Sequence, residues 1–345
     1  MIDVSALTKK EWAELIAGYA AEIVPDLNDW PFHAARQVCD AHYGRDVFVR
    51  GLVEFTSYCK QDCYYCGLRR SNRNAARYRL TMEEIVSCCV DGAVLGLRSF
   101  VLQGGEDAYY TDDVLCGIIE MIRARCPDCA ITLSAGERSL ESYKLLRAAG
   151  AERYLLRHET ADATHYARLH SPGQTMEQRR RCLYNLREAG FHVGAGFMVG
   201  SPGQTSAELA EDMMFLKEFQ PQMVGIGPFM PHGDTPFAAE KAGAVGQTLL
   251  MVALTRLLLP NAMIPATTAL ASVHPDGRVQ GLAAGANVVM PNISPTHVRA
   301  AYRIYDGKKA SGAEAAEGLA ALMAELEAHG YSAALTRGDW RFGTF

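Results

Sequence analysis

Residues 47–70 read V-F-V-R-G-L-V-E-F-T-S-Y-C-K-Q-D-C-Y-Y-C-G-L-R-R. The run 47–55, rich in Val and Phe, has the composition of a buried strand. It leads directly into a loop that carries Cys59, Cys63 and Cys66 in C-x3-C-x2-C spacing. Fe–S clusters are usually held by four cysteines. Three thiolates on one short loop can hold three irons of a cubane and leave the fourth iron open to another ligand. The bland alternative is structural zinc. That site wants four ligands, and no fourth Cys or His lies nearby in the sequence.

Outward from this strand the pattern repeats. Short apolar strands are expected at 99–102, 130–133, 153–156, 192–199, 223–226, 264–266 and 287–290. Apparent helices separate them, with the link 271–286 poorly defined. Helix starts are marked by capping-box spacing at Thr81/Glu84, Thr175/Gln178 and Thr205/Glu208. Such alternation predicts parallel βαβ units, and eight units over about 240 residues match a closed barrel in size. The fold class is therefore α/β, a (β/α)8 TIM barrel with N-terminal helices and a C-terminal helical extension. Residues 1–46 form the N-terminal helical segment, where Thr8 and Glu11 open a helix and Pro25 and Pro31 interrupt the pattern. Residues 47–310 form the barrel. Residues 311–345 form a C-terminal helix over 311–329 and a tail whose Trp340, Phe342 and Phe345 argue for packing.

The 345 residues are 49% hydrophobic and 21% charged, with net charge −5. That balance leaves no basic footprint for nucleic acid. The apolar run 249–259 is interrupted by Arg256 and is too short to span a bilayer. The opening stretch lacks the apolar core of a signal peptide. The expectation is a cytoplasmic protein with no nucleic-acid or membrane partner, whose ten cysteines are reduced thiols. Cys39, Cys88, Cys89, Cys116 and Cys182 read as small buried hydrophobes. Cys126 and Cys129 precede the third strand and so face the other end of the barrel.

Unusual residues gather at strand C-terminal ends: Gln103-Gly104-Gly105-Glu106-Asp107, Ser134, Arg157-His158-Glu159-Thr160, Thr267-Thr268 and Met290-Pro291-Asn292. In a parallel barrel these ends share one face, where catalytic groups collect. Gly104 and Gly105 permit close backbone approach, although Q-G-G-E-D also fits a plain turn. Arg157 and Glu159 need partners of opposite sign, whether a ligand or a structural ion pair. Arg179 can clamp a carboxylate. Thr267 and Thr268 either cap a helix or bind an anion. Gly194-Ala195-Gly196-x3-Gly200 imitates a dinucleotide fingerprint, but its spacing is wrong and it lies within a strand. Small residues there make room inside the barrel.

The cysteine motif, with aromatic Tyr65 before its last member, resembles that of the radical S-adenosylmethionine (SAM) enzymes. The resemblance implies a SAM molecule chelated to the open iron and cleaved reductively to methionine and a 5′-deoxyadenosyl radical. C-Y-Y-C-G-L-R-R-S-N, L-L-R-H-E-T, G-F-M-V-G-S-P-G-Q-T, I-P-A-T-T-A-L and V-M-P-N-I-S-P-T resemble, more narrowly, the HydE family of FeFe hydrogenase maturases. That implies work on the hydrogenase di-iron subcluster, on a small cysteine-derived or iron-bound substrate. Tyr65, Gly104, Gly105, Glu106, Ser134, Glu159, Arg179 and Met290 would then hold SAM. Gln103, Arg157, Thr267, Thr268, Tyr302 and Tyr305 would line the substrate site. A reductant such as ferredoxin or flavodoxin and the other hydrogenase maturases would be partners. No cysteine follows Cys182, so one 4Fe-4S cluster is expected. Methylornithine synthase and biotin synthase share the resemblance, and a non-catalytic carrier of an Fe–S cluster or iron complex is the non-enzyme alternative.

Overall fold

The computed structural model describes residues 3–19, 25–308 and 315–340. Strands β1 (Asp46–Val49) and β2 (Gly51–Thr56) form the first stave, broken at Arg50. β3 (Ser99–Gly104), β4 (Ala130–Ser134), β5 (Arg153–Leu155), β6 (His192–Ala195) and β8 (Met223–Val224) follow β2 in one parallel sheet of six strands. β7 (Met198–Val199) and β9 (Gly227–Pro228) continue two of these staves after short breaks. At the first of those breaks Gly196 has φ 151°, and a Cβ there would strike the carbonyl of Gly225.

The sheet closes on itself. Val224 N–H donates to the carbonyl of Met263 at 3.1 Å, and Asn287 N–H to that of Ile264 at 2.9 Å. Ala266 N–H reaches the carbonyl of Val288 at 2.9 Å, and Phe48 N–H that of Asn287 at 2.9 Å. β10 (Val288–Val289) thus lies beside β1. Residues 263–266 are the seventh stave, too short to form a regular strand but hydrogen-bonded on both sides. Eight parallel staves make the α/β barrel, and every residue of β2 is buried.

The helices lie outside. Thr81, Thr205 and Thr8 each form the reciprocal capping box with Glu84, Glu208 and Glu11. Thr175 caps its helix through the N–H of Gln178 at 3.1 Å. Helix Lys9–Ala17 lies on helix Ser206–Phe219, joined by Lys9 Nζ–Glu211 Oε2 at 2.6 Å. The undefined link before the eighth stave contains two short helices, Thr268–Val273 and Gly277–Ala283.

The C-terminal segment differs from a plain helix and tail. After helix Ala315–Ala328 comes β11 (Ser332–Ala334), which pairs in parallel with β1 on the side away from β10. Beyond it Asp339 Oδ1 meets buried Arg153 Nη2 at 2.7 Å, so the segment covers the barrel's N-terminal end. The start of the expected helix at 311, and Phe342 and Phe345, lie outside the described residues. Among the described residues no helix is long and apolar enough to cross a membrane.

Candidate active site

The cysteine loop is held in place by its neighbours. Asp62 accepts from Arg69 Nε and Nη2 at 2.8 and 2.7 Å and from Ser71 N–H at 3.0 Å, which closes the loop on itself. Arg69 therefore pulls the Asp62 carboxyl well below the usual range. Gly67 donates its N–H to Ile304 at 2.9 Å, and a Cβ at Gly67 would strike the Arg303 carbonyl. A Cβ on Gly105 would likewise strike the carbonyl of Tyr58. This close approach lets Lys60 N–H reach the Glu106 carbonyl at 2.8 Å and Glu106 N–H reach Cys59 Sγ at 3.4 Å.

Burial raises the thiol pKa of Cys59 and pushes that of Cys63 up to about 11. Burial pushes Cys66 up further, and the neighbouring thiols Cys63 and Cys59 add like-charge repulsion. Three half-buried thiols that repel one another as thiolates call for a bound cation. Metal binding deprotonates coordinating thiols outright, so the donor set fits an iron–sulfur cluster. No three His, Cys, Asp or Glu side chains among the described residues converge on a single ion. A cubane does not need that, because each thiolate takes a separate iron.

Cys59, Cys63, Tyr65 and Cys66 open onto one cavity of about 290 Å³. Its walls come from successive stave ends: Gln103 and Gly104 at the end of β3, Gly105 and Glu106 just after it, Ser134 at the end of β4, Arg157 and Glu159 after β5. Arg179, Thr267, Tyr302 and Tyr305 complete it. Burial pushes the Tyr305 hydroxyl up to about 12, so the phenol stays protonated. Gln103 Nε2 touches Tyr302 Oη at 3.4 Å.

The segment after β5 carries backbone strain. Glu159 has φ 65°, in the left-handed region that side chains avoid. Backbone bonds hold it there: its N–H donates to Gly196 at 3.0 Å and its carbonyl accepts from Met198 at 3.1 Å. His158, fully buried, accepts at Nδ1 from Gly196 N–H at 3.2 Å. Its Nε2 therefore carries the proton and donates to Asp212 Oδ1 at 3.2 Å. Burial, and then Arg157, pushes the His158 pKa well down, so the ring is neutral. Asp212 also accepts from Ala161 N–H at 2.6 Å. Glu159 Oε2, and Arg157 Nε and Nη2, are buried without a hydrogen-bond partner, on residues that line the cavity. Residues held in sparsely populated backbone regions cluster at active sites and ligand clamps.

Two expected residues lie elsewhere. Thr268 and Met290 border a neighbouring cavity of about 530 Å³ beside the C-terminal helix. Thr267 is the helix N-cap and the next residue turns away with the first helical turn. Met290 packs against the small apolar cluster that contains Phe48, Met223, Met263 and Val288. Arg179 is paired, but with Glu137, a residue not anticipated, at Nε–Oε1 2.6 Å. Burial opposes the Arg179 charge, yet Tyr166 and Glu137 outweigh it and raise its pKa. Arg179 Nη1 also holds the carbonyl of Arg157 at 2.9 Å. Glu137 follows the Ser134-Ala135-Gly136 strand end, so the strand-end rule reaches it. Gly136 has φ 77°, and a Cβ there would strike Glu106.

A closed parallel barrel with three cysteines on the loop after its first stave, beside an Arg157–Glu159 ion pair with unused hydrogen-bonding atoms, defines a cluster-dependent barrel enzyme. The chain belongs to the radical SAM superfamily, whose model matches residues 53–216. It is 48% identical over 281 residues to the "[FeFe] hydrogenase maturase subunit HydE" of Thermotoga maritima, covering 81% of this chain and 80% of that one. It is 30% identical over 260 residues to the 3-methylornithine synthase of Methanosarcina acetivorans, covering 75% and 73%. Among solved structures, methylornithine synthase (PylB) superposes with TM-score 0.83 at 25% identity over 96% of both chains. The maturase HydG of Carboxydothermus hydrogenoformans shares the fold, with TM-score 0.74 at 21% identity over 94% of this chain and 75% of that one. Radical SAM enzymes use a 4Fe-4S cluster and SAM, and these are the cofactors of this enzyme.

Proposed function

We propose that this chain is a HydE-type maturase that uses radical SAM chemistry in building the di-iron subcluster of FeFe hydrogenase. The observation that carries the hydrogenase reading is the 48% identity to the Thermotoga maritima maturase over four-fifths of each chain. Cys59, Cys63 and Cys66 hold the one cluster. When bound, the cluster supplies one electron that cleaves SAM to methionine and a 5′-deoxyadenosyl radical.

The chain's own residues bind and orient. Gly104 and Gly105 bring backbone close to the cysteine loop, where Glu106 would offer its carboxylate to the SAM ammonium. Glu159 and Arg179 offer both signs of charge to a zwitterion, with Tyr65 and Ser134 beside them. Arg157, Gln103, Thr267, Tyr302 and Tyr305 form the deeper wall, suited to a small anionic or iron-bound substrate. Thr268 and Met290 are not part of this set. The electron comes from a ferredoxin- or flavodoxin-like reductant in the cytoplasm, and the other hydrogenase maturases are working partners.

The likeness to methylornithine synthase favours a second reading, a mutase acting on a free amino acid. One experiment separates the two. The reconstituted, reduced protein is incubated with SAM and lysine, an isomer of 3-methylornithine. It is then tested for hydrogenase activation alongside the other maturases. Activation without 3-methylornithine supports the maturase; 3-methylornithine without activation overturns it. A protein that forms neither methionine nor 5′-deoxyadenosine is not a radical SAM catalyst.

A further inference from the structure

The last residue of helix Ala163–Leu169 and the loop after it grip the cysteine loop at three points. Tyr64 N–H donates to the carbonyl of Leu169 at 2.9 Å. His170 Nδ1 lies 2.8 Å from the carbonyl of Tyr166, which only a donor can satisfy, so its Nε2 is bare. Tyr65 Oη, 3.3 Å from that Nε2, is then the donor. The Tyr166 ring stacks on His170 at 3.8 Å and fixes its orientation. The third contact goes to a cysteine sulfur: Gln174 Nε2 stands 3.6 Å from Cys63 Sγ. Ser171 Oγ donates to Gln174 Oε1 at 3.0 Å, which turns the amide N–H toward the sulfur. A thiolate only accepts, so no other amide orientation suits it.

We propose that Gln174 is a positioning residue that sets the reduction potential of the cluster through a hydrogen bond to Cys63. The proposal rests on the reading that Cys63 is a cluster ligand. Reduction adds an electron to a cluster that already carries thiolate and sulfide charge. A donor on a ligand sulfur favours the more negative, reduced form, and such bonds are among the levers that set cluster potentials. Cys59 has a backbone donor from Glu106, which an ordinary side-chain substitution leaves in place. Cys63 has a side-chain donor, which can be removed.

The test uses full-length protein with its cluster reconstituted, in Gln174→Met and Gln174→Glu. Methionine keeps the length and removes the donor. Glutamate removes it and adds a negative charge. Iron and sulfide content and the cluster's midpoint potential are measured, the latter by redox titration followed by electron paramagnetic resonance without SAM. The expected result is an unchanged iron content with the midpoint displaced to more negative values, further in Gln174→Glu than in Gln174→Met. An unmoved midpoint in fully loaded Gln174→Met overturns the proposal. So does loss of the cluster in both variants, which would make Gln174 a loading residue. Cys63→Ala is the control for the underlying reading: a variant that still binds a full cluster sinks that reading rather than the role of Gln174.

Discussion

Arg157 Nη2 lies 3.1 Å from Glu159 Oε2, the distance of an ion pair, yet neither atom finds hydrogen-bond geometry there. A pair whose only purpose was structural would close that bond, because unsatisfied buried polar atoms are costly. Both side chains instead line the cavity and keep donors and an acceptor that no protein group satisfies. Glu159→Gln keeps the shape and removes the charge. Bonds to charged groups contribute roughly 1.5–3 kcal/mol, so SAM binding should weaken about 10- to 100-fold. Equilibrium dialysis with labelled SAM measures it, and unchanged affinity would remove Glu159 from the SAM site.

Asp212 holds the segment that presents Glu159. Asp212→Ala leaves His158 Nε2–H and Ala161 N–H buried without acceptors, at about 1–3 kcal/mol each. Asp212→Asn keeps an accepting oxygen. Urea unfolding should therefore show a loss of about 2–6 kcal/mol for alanine, from those same bond costs, and a clearly smaller loss for asparagine. Equal losses would mean that the charge matters rather than the acceptor.

The barrel and the cysteine loop were legible because their signals are local. Eight apolar runs, three capping boxes and a C-x3-C-x2-C spacing need no knowledge of what packs where. The strand-end rule then gathered Gln103 through Glu106, Ser134, Arg157 and Glu159 on one face. It failed at Thr268 and Met290, because a residue just past a strand end can turn either way. Asp212 carried a readable signal: it lies three residues after Leu209 and four before Leu216, both buried, so it is an acid on an apolar stripe. β11 carried none. Ser332-Ala333-Ala334 has no β-branched or aromatic residue, and only pairing with β1 makes it a strand.

Gly136→Ala should damage the site without touching a proposed ligand. The backbone there has φ 77°, and the added Cβ would strike the Glu106 side chain. Glu106 accepts from Gln61 Nε2 at 2.8 Å and from Glu137 N–H at 3.0 Å. Displacing it should loosen both the cysteine loop and the Glu137–Arg179 pair. The expected outcome is at least a tenfold fall in the rate of 5′-deoxyadenosine formation, with the strain costing about 1 kcal/mol or more of stability. Wild-type rates in a stably folded Gly136→Ala would show that Glu106 has slack.

Acid should weaken the fold through its buried histidines. Burial depresses the His170 pKa to about 3, against about 6.5 in an unfolded chain. His158 is pushed down in the same direction. A depressed folded pKa means that the unfolded chain takes up the proton first. The stability is therefore intact above pH about 6.5 and is lost progressively as pH falls from there toward 3. For His170 alone the loss by pH 5.5 is about 1.4 kcal/mol. Urea unfolding at pH 7.5 and 5.5 measures the total. His170→Gln cannot titrate, so its stability should fall less between the two pH values, whatever its starting stability. An undiminished fall in that variant would place the titrating group elsewhere, with His158 the next to substitute.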